Sequence, residues 1–258
     1  MPWFLSRDVA NDLEAIPIRV RKPADSTTLP EDFRYINKMI IGKNFIKLED
    51  YIGCNCRPKC VANSCPCIQL NGSLPYKLGR LSGHKDIAFE CSKRCSCEPN
   101  CVLRSSQNQL KYSLELYHTV DKGWAVRTLS TIPIGESLCE YLGLLRRIED
   151  LDDGATETNF YLYDIDCLQQ LKERGTTSNA IPGLESVKMD QCVTHRHPDI
   201  TKAMQQARVI LFAKRKIESL EELTLFYGYP IDSLKDEEGK VIKKDCYCGT
   251  PSCRKRLI

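Results

Sequence analysis

The sequence predicts a mainly β protein of short strands folded into small sheets, with cysteine-rich modules near both ends standing in for apolar cores. Three observations carry this. Fifteen cysteines occur in 258 residues, and twelve of them fall into two clusters. Between the clusters, apolar and polar residues alternate at the two-residue period of a half-buried strand. Prolines at 17, 23 and 30 break up the N-terminal part, where long helices would otherwise be allowed. Helix is expected to be scarce.

Taken in order, residues 1–53 contain no cysteine and read as an extended arm with a short strand or turn around Phe33 to Ile41. Residues 54–101 hold nine cysteines and little apolar periodicity, so something other than a hydrophobic core must hold them together. In residues 110–230, Tyr112, Leu114 and Leu116 alternate with Ser113, Glu115 and Tyr117. Ala207 to Ala213 and Glu222 to Tyr227 are short apolar runs bounded by charge. The turn signal Pro133-Ile134-Gly135 separates two such strands. A charged loop follows at Asp232 to Lys244, and the last three cysteines close the chain.

Composition narrows the classes. With 42% hydrophobic and 28% charged residues the chain can bury a core, so disorder is not its main state. Thirty-seven Lys and Arg against 34 Asp and Glu give a net charge of +3, too weak for a dedicated nucleic-acid binder. The apolar start Met1 to Leu5 is interrupted by Arg7 and Asp8, which does not make a secretory signal. Apolar runs such as Val209 to Ala213 fall far short of the roughly 20 residues a membrane span needs. An intracellular, reducing setting is therefore expected, in which clustered thiols are metal ligands rather than disulfides.

The first cluster runs Cys54, Cys56, Cys60, Cys65, Cys67, then a 23-residue insert, then Cys91, Cys95, Cys97, Cys101. Each half pairs Cys-x-Cys with flanking cysteines. Neighbouring thiolates of that spacing do not comfortably close a disulfide with each other, but they can reach adjacent metal ions. Three tetrahedral zinc ions need about twelve ligand bonds, and nine thiolates supply them if three bridge two metals each. A disulfide knot would leave one of nine thiols over, and a metal sponge would lack the long domain that follows. The expected site is closed and structural, its metal-binding energy replacing a missing core.

These features resemble a known family. The cluster is followed by Lys122-Gly123-Trp124-Ala125-Val126-Arg127, then Cys139-Glu140-Tyr141-Leu142-Gly143. Next come Glu222-Leu223-Thr224 with Tyr227-Gly228-Tyr229, and the terminal Cys246-x-Cys248-x4-Cys253. This series resembles the pre-SET, SET and post-SET modules of histone lysine methyltransferases over nearly the whole chain. Tyr161 to Gln169 and Cys246 to Leu257 carry a finer likeness to the plant suppressor-of-variegation class, KRYPTONITE-like enzymes acting on lysine 9 of histone H3. The resemblance implies a SET-domain fold of small β-sheets with a triple-zinc pre-SET cluster and a short cysteine-rich post-SET tail. Its expected boundaries are an arm at 1–53, pre-SET at 54–104, an internally shortened SET domain at 105–231 and post-SET at 232–258.

The same resemblance implies S-adenosylmethionine as methyl donor and a fourth zinc at Cys246, Cys248 and Cys253. It implies catalytic roles for Tyr227 and Tyr161, and cofactor contacts from Lys122, Gly123, Trp124 and Tyr161. It further implies a histone H3 tail or nucleosome as partner, and a nuclear, chromosomal setting. The tail Arg254, Lys255, Arg256 reads either as a contact to nucleosomal DNA or as a charge that keeps the C-terminus soluble, and no dedicated DNA-reading domain is expected in this chain. Members of the plant class usually carry an upstream domain that reads methylated DNA.

Two departures stand out. The family has a motif of the form ARFINHSCxPN between the segments matched by Tyr161 to Gln169 and Gln191 to Val193, and no Asn-His-Ser-Cys occurs here. In the family that motif contacts the cofactor, forms the active-site core and gives the fourth post-SET zinc ligand. Cys192, His195 and His197 could be imagined as substitute ligands, but Gln191-Cys192-Val193 and Asp199 match the family's own segment just after the motif, so a deletion is the plainer reading. Leu225 and Phe226 stand where the family usually has an aromatic and then an acid. Two functions therefore compete: a histone H3 lysine 9 methyltransferase, and a catalytically inactive zinc-cluster scaffold or shortened form.

Overall fold

The computed structural model describes residues 3–25, 27–43, 52–83, 87–146, 150, 163, 187–195 (backbone only), 208–225, 232, 238–249 and 253–256. In chain order the strands among them are β1 (Phe4–Ser6), β2 (Arg19–Arg21), β3 (Ile40–Ile41), β4 (Tyr76–Lys77), β5 (Arg80–Leu81) and β6 (Ile87–Glu90). They continue with β7 (Leu114–Thr119), β8 (Gly123–Thr128), β9 (Ser137–Glu140), β10 (Leu144–Leu145), β11 (Val187–His195) and β12 (Arg208–Ala213). Among the described residues, the helical elements are α1 (Pro66–Gln69) and a 3-10 turn at Val102–Arg104. The expected β-rich, helix-poor chain is what the structure shows.

Among the described residues these strands form small sheets ordered β1-β2-β7-β8, β10-β3, β6-β11-β12-β9 and β4-β5. The N-terminal arm is more ordered than its prolines suggest. Pro17 and Pro23 lie just outside β2, which is short enough to fit between them and pairs parallel with β7. The Asp8 carboxylate accepts from the backbone N–H groups of Ala10, Asp12 and Ile18 at 2.9–3.0 Å, closing the loop that returns β1 to β2. Those hydrogen bonds, chiefly the one from Asp12, lower the Asp8 pKa.

β12 is the central strand that its continuous apolar run predicts, bonded to β11 on one edge and β9 on the other. Its Val209, Ile210, Phe212 and Ala213 are buried. The turn before β9 depends on Gly135, whose φ is +79°. A Cβ there would lie 2.5 Å from the Leu81 carbonyl oxygen, so a side chain is excluded on two grounds.

The insert between the two halves of the cysteine cluster forms the β4–β5 hairpin and then β6, which pairs parallel with β11 in the sheet of the following domain. Tyr76 of β4 stacks on Phe212 of β12 with ring centroids 6.4 Å apart. Glu90, at the end of β6, has no exposed surface. It accepts from the Ser106 backbone N–H at 3.0 Å and from Gln107 Nε2 at 2.8 Å, and pairs with Arg208 of β12 at 3.4 Å. Arg208 also reaches Glu140 of β9 at 3.3 Å. The cysteine-rich module is thus tied to the sheet by a strand pairing, an aromatic stack and a buried ion pair.

Removing one partner of a buried pair leaves the other charged and unsolvated. Arg208→Met is expected to destabilise by about 3–5 kcal/mol, measured as a lowered urea midpoint. The double change Glu90→Gln with Arg208→Met is expected to recover most of that loss, because no buried charge is then stranded.

Candidate functional site

The nine cysteines converge. Eight are buried and Cys56 is half-buried, and with Ile68 and Leu103 they form a core of their own. Local backbone explains how. Cys65 caps α1, with Pro66 opening the helix where no N–H is needed. The two halves are stitched by Ser96 N–H to the Cys54 carbonyl at 2.8 Å and by Cys54 N–H to Cys95 Sγ at 3.4 Å. Arg104, on the 3-10 turn after Cys101, donates to the carbonyls of Cys91 and Ser92 and to Cys97 Sγ.

The sulfur spacing separates the two chemistries left by the sequence. Cys54 and Cys60 are 3.6 Å apart, Cys60 and Cys91 3.5 Å, Cys67 and Cys95 4.0 Å. A disulfide requires about 2.05 Å. A tetrahedron with metal–sulfur bonds of about 2.3 Å has edges of about 3.8 Å, which these spacings match.

Three overlapping groups have their sulfurs within 4.8 Å of one another: Cys54, Cys56, Cys60, Cys65; then Cys54, Cys67, Cys91, Cys95; then Cys54, Cys60, Cys91, Cys97. Cys101 contacts the thiols of Cys91 and Cys60. Cys54, Cys60 and Cys91 are therefore placed to bridge, and Cys56/Cys65, Cys67/Cys95 and Cys97/Cys101 to be terminal pairs, an arrangement that could hold three zinc ions.

Electrostatics agree. The Cys101 pKa is lowered to about 4, chiefly by its hydrogen bond with the Cys91 thiol, while Cys91 itself is pushed far up by Cys101 and its other neighbours. Burial drives Cys60 up as well. Packed thiols share few negative charges, and a divalent cation is what allows all nine to ionise. Three zinc ions with nine thiolates still carry a charge of about −3, which the Arg104 guanidinium partly offsets.

At the other end, Cys246, Cys248 and Cys253 also bring their sulfurs within 4.8 Å of one another, all half-buried. Burial raises the Cys246 pKa to about 11, with Cys253 and Cys248 adding to it.

The Lys122-Gly123-Trp124 turn joins β7 to β8. Gly123 has φ +70° and open space where a Cβ would be, so a ligand can approach its backbone. Lys122 Nζ lies 2.7 Å from both carboxylate oxygens of Glu222, and Tyr117 donates to the same carboxylate at 2.8 Å. Trp124 packs edge-on against His118, ring centroids 5.4 Å apart. Glu222 was visible in the sequence only as part of a motif. Nothing in the pattern tied it to a lysine 100 positions away.

Tyr161 and Tyr227, assigned to catalysis from the resemblance, lie outside the described residues. Leu225 packs against the cluster of Ile132, Leu138, Ala213 and Ile217. Gln191, Cys192 and Val193 sit within β11, paired with β12, and the latter two also with β6.

Bridging and terminal positions make different demands on metal content. Cys91→Ser is expected to lower bound zinc by two ions or more per chain, and Cys97→Ser by one, measured by metal analysis of purified protein. Zinc content of the unaltered chain is expected to fall as pH falls, since protons compete for the thiolates.

The chain was compared with known proteins. The Pre-SET motif matches residues 10–104 and the SET domain residues 123–228. The chain is 36% identical to the H3 lysine-9 specific histone-lysine N-methyltransferase SUVH4 of Arabidopsis thaliana, covering 98% of this chain and 47% of that protein. It is 34% identical to the histone-lysine N-methyltransferase EHMT1 of Homo sapiens, covering 97% of this chain and 20% of that one. The crystal structure of KRYPTONITE in complex with mCHH DNA, an H3(1-15) peptide and SAH superposes with a TM-score of 0.83 at 35% identity, covering 100% of this chain and 55% of that chain. That of Arabidopsis thaliana SUVH6 in complex with SAM gives 0.78 at 28%, covering 99% and 56%. The chain spans about half the length of these plant relatives. The SUVH4 alignment runs over 299 positions against 258 residues here, so the relative carries tens of residues without a counterpart. With its paired cysteine halves, its short-stranded sheets and both family matches in order, the chain belongs to the pre-SET and SET-domain family, in its suppressor-of-variegation class.

Proposed function

We propose that this chain is the methyl-transferring part of a histone-lysine N-methyltransferase that acts on lysine 9 of histone H3, in chromatin of the nucleus. The observation that carries this is the continuity of the match: at 36% identity it spans 98% of the chain, taking in cysteine cluster, cofactor turn and terminal cysteines together. A solved relative of the same class holds SAH and an H3 peptide. The proposed modules are the arm at 1–53, pre-SET at 54–104, SET at 105–231 and post-SET at 232–258.

S-adenosylmethionine, when bound, supplies an electrophilic methyl group to a lysine amine. The residues proposed to hold it are Lys122, Gly123, Trp124 and Tyr161. Gly123 leaves room for close backbone approach, and the paired Glu222 fixes Lys122, so the turn is set before a ligand arrives. The substrate amine must lose a proton that free lysine holds to a pKa of roughly 10.4. Exclusion of water and aromatic walls lower that value, and Tyr227 and Tyr161 are the proposed walls. The Tyr227 hydroxyl is proposed to orient the amine and face its developing charge. The zinc cluster is proposed to stay outside the chemistry as a structural support, and the H3 tail is the proposed partner.

A second reading is favoured by one observation: the chain lacks Asn-His-Ser-Cys. On that reading it is an inactive zinc-cluster scaffold. Labelled methyl transfer to an H3 tail peptide, beside the same peptide with lysine 9 replaced, separates the two. The proposal expects label on the intact peptide alone, and a loss of about a hundredfold in Tyr227→Phe. Folded, zinc-loaded protein that neither transfers methyl nor binds S-adenosylmethionine is the scaffold.

A further inference from the structure

We infer that the outer surface of the first cysteine cluster docks the phosphate backbone of duplex DNA through Arg57, Lys59, Lys93 and Arg94. The inference goes beyond the methyl-transfer reading and does not depend on it. Packing nine sulfurs at the centre of this module turns the residues between them outward, and all four of these side chains are exposed. Cys54 to Cys67 and Cys91 to Cys101 together hold four Lys and Arg against one acid, Glu98, a local excess as large as the +3 of the entire chain. Overall charge argues against a dedicated nucleic-acid binder, but here the charge is concentrated on one small module.

Local backbone brings the two halves side by side. Ser96 N–H donates to the Cys54 carbonyl at 2.8 Å and Glu98 N–H to the Pro58 carbonyl at 2.9 Å, so the Arg57-Pro58-Lys59 loop lies along the second half. Gly53 packs so closely on Arg94 that a Cβ there would stand 2.0 Å from the Arg94 carbonyl oxygen. Lys93 and Arg94 form the tip of a tight turn. It is closed by Cys95 N–H on the Ser92 carbonyl at 3.0 Å and by Arg94 N–H on the Ser92 hydroxyl at 3.2 Å. Each cation stands one or two residues from a cysteine of the cluster, so its backbone is fixed in advance and little main-chain entropy is lost on docking. A duplex presents regularly spaced phosphates to such a rigid set, and Lys and Arg meet phosphate oxygens through charge-assisted hydrogen bonds. Neither half contains an aromatic residue, so the bases of a single strand would find no stacking platform there.

The full zinc-loaded chain and a short labelled duplex of mixed sequence supply the test, read by fluorescence anisotropy. Four phosphate contacts are expected to give a slope of about −3.5 for log affinity against log salt, so that binding weakens about a hundredfold between roughly 50 and 200 mM salt. Lys93→Gln with Arg94→Gln is expected to reduce that slope by about two and to weaken binding alike for every duplex sequence. Arg57→Lys with Arg94→Lys, which keeps the charges, is expected to bind within about twofold of the unaltered chain. Zinc content is expected to be the same in all of them, because none of these side chains is a metal ligand. No duplex binding, an unchanged slope in the neutralised chain, or zinc loss on neutralisation overturns the inference. Tighter binding of polyglutamate, which would assign the surface to an acidic protein, also overturns it. So does a slope that falls only when Arg254, Lys255 and Arg256 are neutralised.

Discussion

Thiolate repulsion is the constraint on which the rest of this structure depends. Nine sulfurs packed so that neighbouring pairs stand 3.5–4.0 Å apart cannot all be charged without cations among them, and as neutral thiols they make a small, weakly cohesive core. Around divalent ions the same spacing becomes a set of shared tetrahedra. The chain there is short of apolar residues: Ile68 and Leu103 are the buried aliphatic side chains of that core. Metal–sulfur bonds therefore replace burial as the source of stability, and the peptide needs only enough secondary structure to present its sulfurs. A four-residue helix and a 3-10 turn suffice.

What happens at the cluster is transmitted to the sheets through one stretch of chain. Cys91, placed to bridge, directly follows Glu90, whose carboxylate is held by Arg208 of the central strand β12. Gln107 binds the Glu90 carboxylate and the Cys91 carbonyl with the same amide nitrogen. β12 leads on to the segment that supplies Glu222, the partner of Lys122 in the turn between β7 and β8. The cysteine cluster, the sheet and the β7–β8 turn thus share a short run of contacts. β6, which runs directly into Cys91 of the cluster, pairs parallel with β11.

The sequence displayed unequal parts of this. Cysteine spacing announced the cluster, because ligand spacing is a local signal. The apolar run at β12 announced a central strand, because burial on both faces leaves a continuous signature. Order in the N-terminal arm was less legible: β2 is three residues long, and its pairing with β7 joins positions about a hundred residues apart. The insert showed no sign of contributing β6 to the next domain, since four residues carry too little pattern to name a partner. Bridging and terminal thiolates were likewise hidden, for which sulfur lies in the middle is a property of the folded cage. Tyr161 and Tyr227 were named by resemblance alone.

The departure from the family pattern separates scaffold from chemistry. β11 begins at Val187, after the shortened connection, and still pairs with β12 through Ala213 and with β6 through Glu90. β12 in turn still pairs with β9. The sheet therefore closes without an Asn-His-Ser-Cys segment, and its strands do not need that segment for register. Leu225 shows the same division on a smaller scale: it packs into an apolar cluster, a task that asks for shape and not for an acceptor. On the family's pattern, the polar contact to a ligand that an Asn-His pair would make is a demand separate from strand pairing. Fold and zinc content can thus persist where transfer is lost, which is why methyl transfer and metal content have to be measured on the same folded sample.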